Sequence, residues 1–345
     1  ALALSLALSG CVSSVLDVDT RGTQPIPAAL VSQMSQKQMT PKSPVLVRIF
    51  KQESELEIWK QDRNGRYALL KTYPMCRWSG QLGPKTRSGD RQAPEGFYHV
   101  SANMLNPRSQ FHLAFNLGYP NQLEAAHGYT GEALMVHGAC SSSGCYAMTD
   151  EGVGEIYAVV RDALKGGQSA FQVQAFPFRM TPRNMAKHRN NPNFAFWQDL
   201  KRGYDIFEVT RRQPRVGYCE GRYVFDTDIQ SNDPLAACPM TTAEPAIASR
   251  SEAERMQMDA LLTSGMSFRE HAYVDGGMHP VFRTMLARSG EKNMARRTSN
   301  DQVPISRRNF IELCEELTLE DEKAFEDVFR QLGLSVDWTQ TYRTI

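Results

Sequence analysis

His137-Gly138-Ala139-Cys140-Ser141-Ser142-Ser143-Gly144-Cys145-Tyr146-Ala147-Met148 is the stretch on which the reading of this chain turns. A short apolar run, Leu134-Met135-Val136, leads straight into it as a strand would. Beyond it the period changes: Thr149 or Asp150 can cap a helix in which Val153, Ile156, Tyr157, Val160 and Leu164 share one face, and Gly166-Gly167 stops it. This order predicts Cys145 just ahead of a helix N-terminus, where the helix dipole favours thiolate over thiol. Gly144 lets the backbone approach a carbonyl, and N–H groups around Ser143, Gly144 and Cys145 offer an oxyanion hole. His137, with an imidazole that ordinarily titrates near pH 6.5, is placed to take the thiol proton. Plainer readings stand beside these: a structural thiol or half a disulfide for Cys145, a core histidine for His137, a tight turn for the Ser and Gly residues.

Outward from that loop, Val45–Phe50 and Leu56–Trp59 read as strands. Asn64-Gly65 before Tyr67-Ala68-Leu69-Leu70 signals a hairpin, because both turn residues accept positive φ. Phe97–Val100, Phe111–Leu117, the alternating Phe171, Val173 and Ala175, and Arg222–Phe225 are further strands; Thr181–Gly203 reads as helical, with Phe194, Phe196 and Trp197 packing. The composition shifts at Asn232-Asp233-Pro234, after which Ser251–Leu262, Ser306–Leu317 and a segment opened by Thr318-Leu319-Glu320-Asp321 read as helices.

The chain has 345 residues, 41% hydrophobic and 22% charged, the composition of a globular protein. A net charge of +1 gives no reason to expect nucleic acid. Ala1–Gly10 carries no charge and is shorter than the roughly 20 residues of a membrane-spanning helix. It reads as the remnant of a secretory signal. Leu8-Ser9-Gly10-Cys11 resembles the lipobox of bacterial lipoproteins, which implies lipidation at Cys11, and Val12 after it implies sorting to the outer membrane; the alternative is simple cleavage and a free periplasmic protein. Residues 11–43, rich in Ser, Gln, Thr and Pro, read as a tether. Export would put Cys76, Cys140, Cys145, Cys219, Cys238 and Cys314 in an oxidising compartment.

The loop closely resembles the YafK-like branch of the YkuD-domain L,D-transpeptidases, and the resemblance extends through Ser79–Lys85, Gly89-Asp90, Pro94–Tyr98, Ala126–Tyr129 and Pro177–Thr181, in order. It implies an α+β fold: a mainly β YkuD-type sandwich with flanking helices over residues 44–229, followed by a helical C-terminal extension over 230–345 that it does not cover. It also implies that Cys145 attacks the carbonyl of diaminopimelate in a peptidoglycan stem peptide, forming a thioester without any cofactor, with His137 as base and a backbone carbonyl orienting the imidazole. An amine acceptor then gives a cross-link and water gives hydrolysis. This branch is associated with cleaving the diaminopimelate–lysine link to an outer-membrane lipoprotein, which favours hydrolysis without deciding it.

The chain departs from the main family in having Ser143 where a second His stands and Ala147 where an Arg stands. A substrate carboxylate must then be held elsewhere; Arg179 and after it Arg87 are the candidates, each with a solvated surface arginine as the plain alternative. Tyr146 and His127 are candidates to contact substrate, or to pack. Cys140 either bridges to Cys76 or traps Cys145 in an oxidised resting form, the first being preferred. Two rival readings remain: a zinc site from His137, Cys140, Cys145 and His127, against which the irregular spacing argues, and a YkuD-like shell that binds peptidoglycan without turnover.

Overall fold

A computed structural model describes residues 20–229, 231–239, 244–264, 273 and 275–283. Chain contacts divide it into Ala1–Leu286 and Ala287–Ile345. The second unit, with the helices expected at 306–317 and beyond 318, lies outside the described residues, as do Cys11 and the signal remnant expected over 1–10.

Residues 20–43 are not a tether. Ile26, Leu30, Met34 and Met39 are all buried, and α1 (Ala28–Gln36) carries two of them into the core. Arg161 holds the Gly22 and Gln24 carbonyls at 2.8 and 2.9 Å. Sparse apolar residues among polar ones gave the segment no sustained periodic signal, yet its four largest are given to the core and Val31 packs against it.

The hairpin forms as its turn residues require. Strand β1 (Val45–Phe50) pairs antiparallel with β2 (Glu55–Gln61), and β2 with β3 (Tyr67–Pro74). Between the last two, Asp62 accepts the N–H groups of Asn64 and Arg66, and Gly65 takes φ +73°. After β3 come β4 (Arg77–Trp78), β5 (Gly96–Ser101), β6 (Leu105–Asn106), β7 (Ala114–Asn116), the short α2 (Gln122–Ala126), β8 (Met135–His137) and β9 (Tyr146–Ala147). Helix α3 (Asp150–Lys165) then leads to β10 (Ala170–Phe176). Thr149 caps α3 by accepting the Gly152 N–H, acids occupy its first turn and Lys165 its last, and Val153, Ile156, Tyr157 and Val160 are buried.

Two five-stranded sheets result, ordered β3-β2-β1-β10-β5 and β4-β9-β8-β7-β6. Only β1–β10 and β8–β9 are parallel. Central strand β1 is buried at all six positions, and even Arg48 lies within it, paired to Glu208 at 2.6 Å with its guanidinium over the Tyr204 and Phe207 rings. The expected helix over 181–203 is two, α4 (Pro182–Lys187) and α5 (Phe194–Thr210), broken at Asn190-Asn191-Pro192-Asn193. A hairpin of β11 (Val216–Cys219) and β12 (Arg222–Phe225) follows. The fold is thus mixed α/β with several sheets.

No boundary falls at 229. Cys238 is bonded to Cys219, Glu220 and Gly221 donate to the Ala236 and Pro234 carbonyls, and α6 (Pro245–Thr263) packs on α4 and α5. Farther on, a strap of residues 275–279 lies along β4, where Trp78 and Gly277 exchange both backbone hydrogen bonds at 3.1 Å. Close approach dictates the glycines: a Cβ on Gly276 would sit 1.7 Å from the Trp78 carbonyl oxygen.

Candidate active site

Strand register places the two reactive residues. In the parallel pair β8–β9, Val136 faces Tyr146 and His137 faces Ala147, so Cys145 continues the register opposite Met135. Side chains alternate along a strand, which puts Cys145 and His137 on the same face, with Cα atoms on the order of 8 Å apart on the diagonal. The Cys145 Sγ accepts the Met135 N–H at 3.4 Å and lies 3.9 Å from the Ala133 carbonyl oxygen.

His137 is 3% exposed, and its Nδ1 is 2.7 Å from the Gly138 carbonyl oxygen. A carbonyl only accepts, so Nδ1 carries the proton and Nε2 is left with its lone pair. The Phe111 ring leans against the imidazole, tilted by 39° with centroids 4.7 Å apart, although Phe111 itself is 45% exposed. Gly138 is required here, because a Cβ would meet the Asp150 carboxylate at 2.5 Å, and that carboxylate accepts the Ala139 N–H at 2.8 Å.

Cys76 and Cys140 are bonded, with 2.02 Å between sulfurs, and Cys145 is a free thiol. The bridge fastens the loop to the β3–β4 connection. Cys140 therefore neither traps Cys145 nor joins a zinc set, and His127 is engaged in a different contact, its Nε2 2.9 Å from the Gly221 carbonyl oxygen and its ring beside Tyr129.

Two of the expected oxyanion donors are occupied. The Gly144 N–H donates to the Ser79 hydroxyl, and the Cys145 N–H donates to the Ser142 hydroxyl at 3.2 Å. Ser142 in turn donates to the Cys145 carbonyl at 2.7 Å. With that proton committed, the 3.0 Å contact between the hydroxyls has Ser79 as donor. A directed chain runs from Gly144 through Ser79 and Ser142 back to Cys145, all of it buried except the thiol's own edge. Ser143 is exposed on the outside of the turn, and Tyr146 is buried with its hydroxyl on the Pro94 carbonyl, anchoring the loop rather than lining its surface.

The helix dipole does not reach the thiol. A two-residue strand, β9, separates Cys145 from α3, and dipole effects fade within the first turn. Burial instead pushes the Cys145 thiol up, opposed by the Met135 N–H and by the charge of Lys85. Burial likewise holds the His137 imidazole below its usual range, opposed by the Gly138 carbonyl. The resting pair is a neutral imidazole and a thiol.

The cation near the nucleophile is Lys85, which is buried and bound to Asp90 at 2.5 Å and to the Arg87 carbonyl at 2.8 Å. Arg87 is exposed in the same turn. Arg179 is engaged elsewhere: Glu55 and Glu57 hold its guanidinium at 2.5 and 2.7 Å over the Phe50 ring. The wall carrying Ser79 is fixed by a wholly buried pair, Lys51 and Glu95, 2.9 Å apart. Lys51 also donates to the Gly83 and Ala93 carbonyls, while Glu95 accepts from the Gly83 N–H and the Trp197 indole. Beside the sulfur, along Ala133 and Met135, a cleft of about 530 Å³ opens toward Asn103, Asn106, Asn116 and Glu132. Among the described residues no three His, Cys, Asp or Glu side chains converge as a metal site.

No protein-family model matches the chain. It is 45% identical over 225 residues to "Putative L,D-transpeptidase YafK" of Escherichia coli K12, covering 65% of this chain and 89% of that one. A much shorter match, 80% identical over 45 residues, is to valine–tRNA ligase of Leifsonia xyli, of which the chain spans 5%. Among solved structures, the helical cell shape determining protein Pgp2 of Campylobacter jejuni is similar over 42% of this chain and 52% of that one, at 22% identity and a TM-score of 0.33, too partial a likeness to argue from. The identity to YafK, over nearly the whole of that protein, decides the matter: the chain belongs to the YafK family.

Proposed function

We propose that this protein is an exported cysteine enzyme of peptidoglycan, acting at diaminopimelate in stem peptides through a thioester on Cys145, within a YkuD-type sandwich. The observation that carries the reading is the one free thiol among the cysteines of the described residues, on the same sheet face as an imidazole whose Nε2 keeps its lone pair. His137 Nε2 takes the thiol proton as Sγ adds to the carbonyl carbon. When the tetrahedral adduct collapses, the C–N bond breaks and the protonated imidazole returns that proton to the departing amine. Water, deprotonated by His137, then adds to the thioester carbon, the C–S bond breaks and the imidazolium returns the proton to Sγ as the acid leaves; an amine acceptor would form a cross-link by the same route. Membership of the YafK family favours hydrolysis of the diaminopimelate–lysine link to an outer-membrane lipoprotein.

Two disulfides among the described residues support an oxidising compartment, the periplasm, and the lipobox-like Cys11 supports an anchor in the outer membrane. Among the described residues no helix is long and apolar enough to cross a membrane. A carbapenem, which acylates cysteines of this family, tests the reading. An adduct is expected on the wild type and on the Cys76→Ala/Cys140→Ala variant, and none on Cys145→Ala or His137→Ala. An unmodified wild type would favour the peptidoglycan-binding shell instead. Mass spectrometry of sacculi digested with the protein then separates lost lipoprotein links from new cross-links.

A further inference from the structure

The cleft beside Cys145 has a wall chemistry of its own. Asn106 Oδ1 accepts the Arg108 N–H at 3.1 Å, Asn116 Oδ1 accepts the Gly118 N–H at 2.9 Å, and Asn103 Oδ1 accepts the Ser101 hydroxyl at 2.5 Å. Each bond needs an oxygen at that position, so each carboxamide is held with its NH2 group turned out of its turn. The cleft therefore offers a row of neutral donors whose orientation the backbone has already fixed. Glu132 adds the opposite charge. It is exposed at the cleft edge, and among the described residues it forms no ion pair. Met104 and Tyr119 supply apolar surface between these groups. Donors for an anion, a carboxylate for a cation and an apolar strip between them suit an amino-acid zwitterion on an aliphatic arm.

Reach agrees. Ala133, the neighbour of Glu132, puts its carbonyl oxygen 3.9 Å from the Cys145 sulfur. In diaminopimelate the distal amino-acid carbon is five bonds of about 1.5 Å from the reacting carbonyl carbon, roughly 6 Å end to end in an extended tetrahedral zigzag. A carbonyl placed on the sulfur would send that arm past Ala133 and into the cleft.

We infer that this cleft binds the distal amino-acid end of the diaminopimelate side chain, Glu132 pairing with its ammonium and the NH2 groups of Asn106 and Asn116 donating to its carboxylate. The assignment rests on the proposed action at diaminopimelate, and it accounts for recognition of the carboxylate where Arg179 is committed to Glu55 and Glu57.

Calorimetry on the Cys145→Ala protein tests it, with stem tripeptides ending in diaminopimelate or in lysine, which keeps the ammonium and lacks the carboxylate. The diaminopimelate peptide should bind at least tenfold more tightly. Glu132→Gln should weaken both peptides about tenfold. Asn116→Asp, which keeps the oxygen that Gly118 needs, should weaken only the diaminopimelate peptide, to the level of lysine. Equal binding of the two peptides, no measurable binding of either, or unchanged affinity in either variant would overturn the inference. Failure of the catalytic reading shows separately, as a wild-type Cys145 that a carbapenem leaves unmodified whichever way the peptides bind.

Discussion

Replacing Ser79 by alanine removes one oxygen and leaves the nucleophile, the base and the cleft in place. The Gly144 N–H then has no acceptor in a buried site, and the Ser142 hydroxyl loses the proton that Ser79 gives it. Stranding a buried backbone donor costs about 1–3 kcal/mol. In a folded unit of this size that lowers Tm by roughly 2–10 °C. The kinetic effect should exceed the thermal one, because Gly144 precedes Cys145 and its release frees the sulfur to wander. A misplacement of about 1 Å is enough to cost a reaction about 100-fold. The assay is the rate of carbapenem acylation followed by intact mass, with iodoacetamide, which needs only a thiolate and no bound geometry, as the control. Acylation should slow between about tenfold and 100-fold, while iodoacetamide labelling changes little. Ser142→Ala should reproduce the pattern. Equal slowing of both reagents, or no slowing of the carbapenem, would show that the hydroxyl chain merely fills space.

Both reactive groups should titrate away from their ordinary values. With His137 held down, turnover should persist through pH 6.5 and fall only in more acid solution; with Cys145 pushed up, iodoacetamide labelling should rise with a midpoint above the ordinary thiol range. Lys85→Met should move that labelling curve further alkaline, and an acid shift would contradict the charge's role. Burial raises the Glu124 carboxyl from 4.5 to about 7, against the hydrogen bond from Tyr98. The folded state thus holds a proton that the unfolded chain has lost, so this group's contribution is complete below pH 4.5 and is lost as pH rises through 7. Between pH 4 and pH 8, Glu124→Gln should gain about 3 kcal/mol on the wild type by urea unfolding, whereas a constant gap would refute the burial argument. Opening the Cys76–Cys140 bridge by double alanine replacement releases a loop spanning 64 positions and should cost about 4 kcal/mol in the same measurement.

What the sequence showed was local. The Asn64-Gly65 hairpin, the face of α3 and the strand feeding His137 each carry their signal within a few residues, and the structure has all three. The thiol's electrostatics were not legible in the same way: α3 begins at the Thr149 cap as the sequence indicates, but the two-residue β9 that holds Cys145 away from that cap is below the length at which alternation can be told from loop. Ser79 was beyond reach for another reason. It meets Gly144 across 65 positions and Ser142 across 63, and a serine bound over that distance looks like any other serine. Lys51 and Glu95 are concealed in the same way, since a charged side chain reads as solvated until its partner is brought to it. Residues 20–43 and the strap contribute scattered buried side chains and a few backbone pairs, too few for a sustained period.

The strap also decides what β4 would otherwise be. Two residues long and last in its sheet, β4 has β9 on one side and Gly277 on the other, with the Tyr273 ring 4.9 Å from the Trp78 ring. A protein shortened to end at 229 would leave the Trp78 amide and carbonyl unmatched beside an uncovered indole, an open border that recruits strands from other molecules. Such a fragment should run as larger assemblies on sizing columns than the full chain does, so what looks like an appendage works as a selvedge along that border.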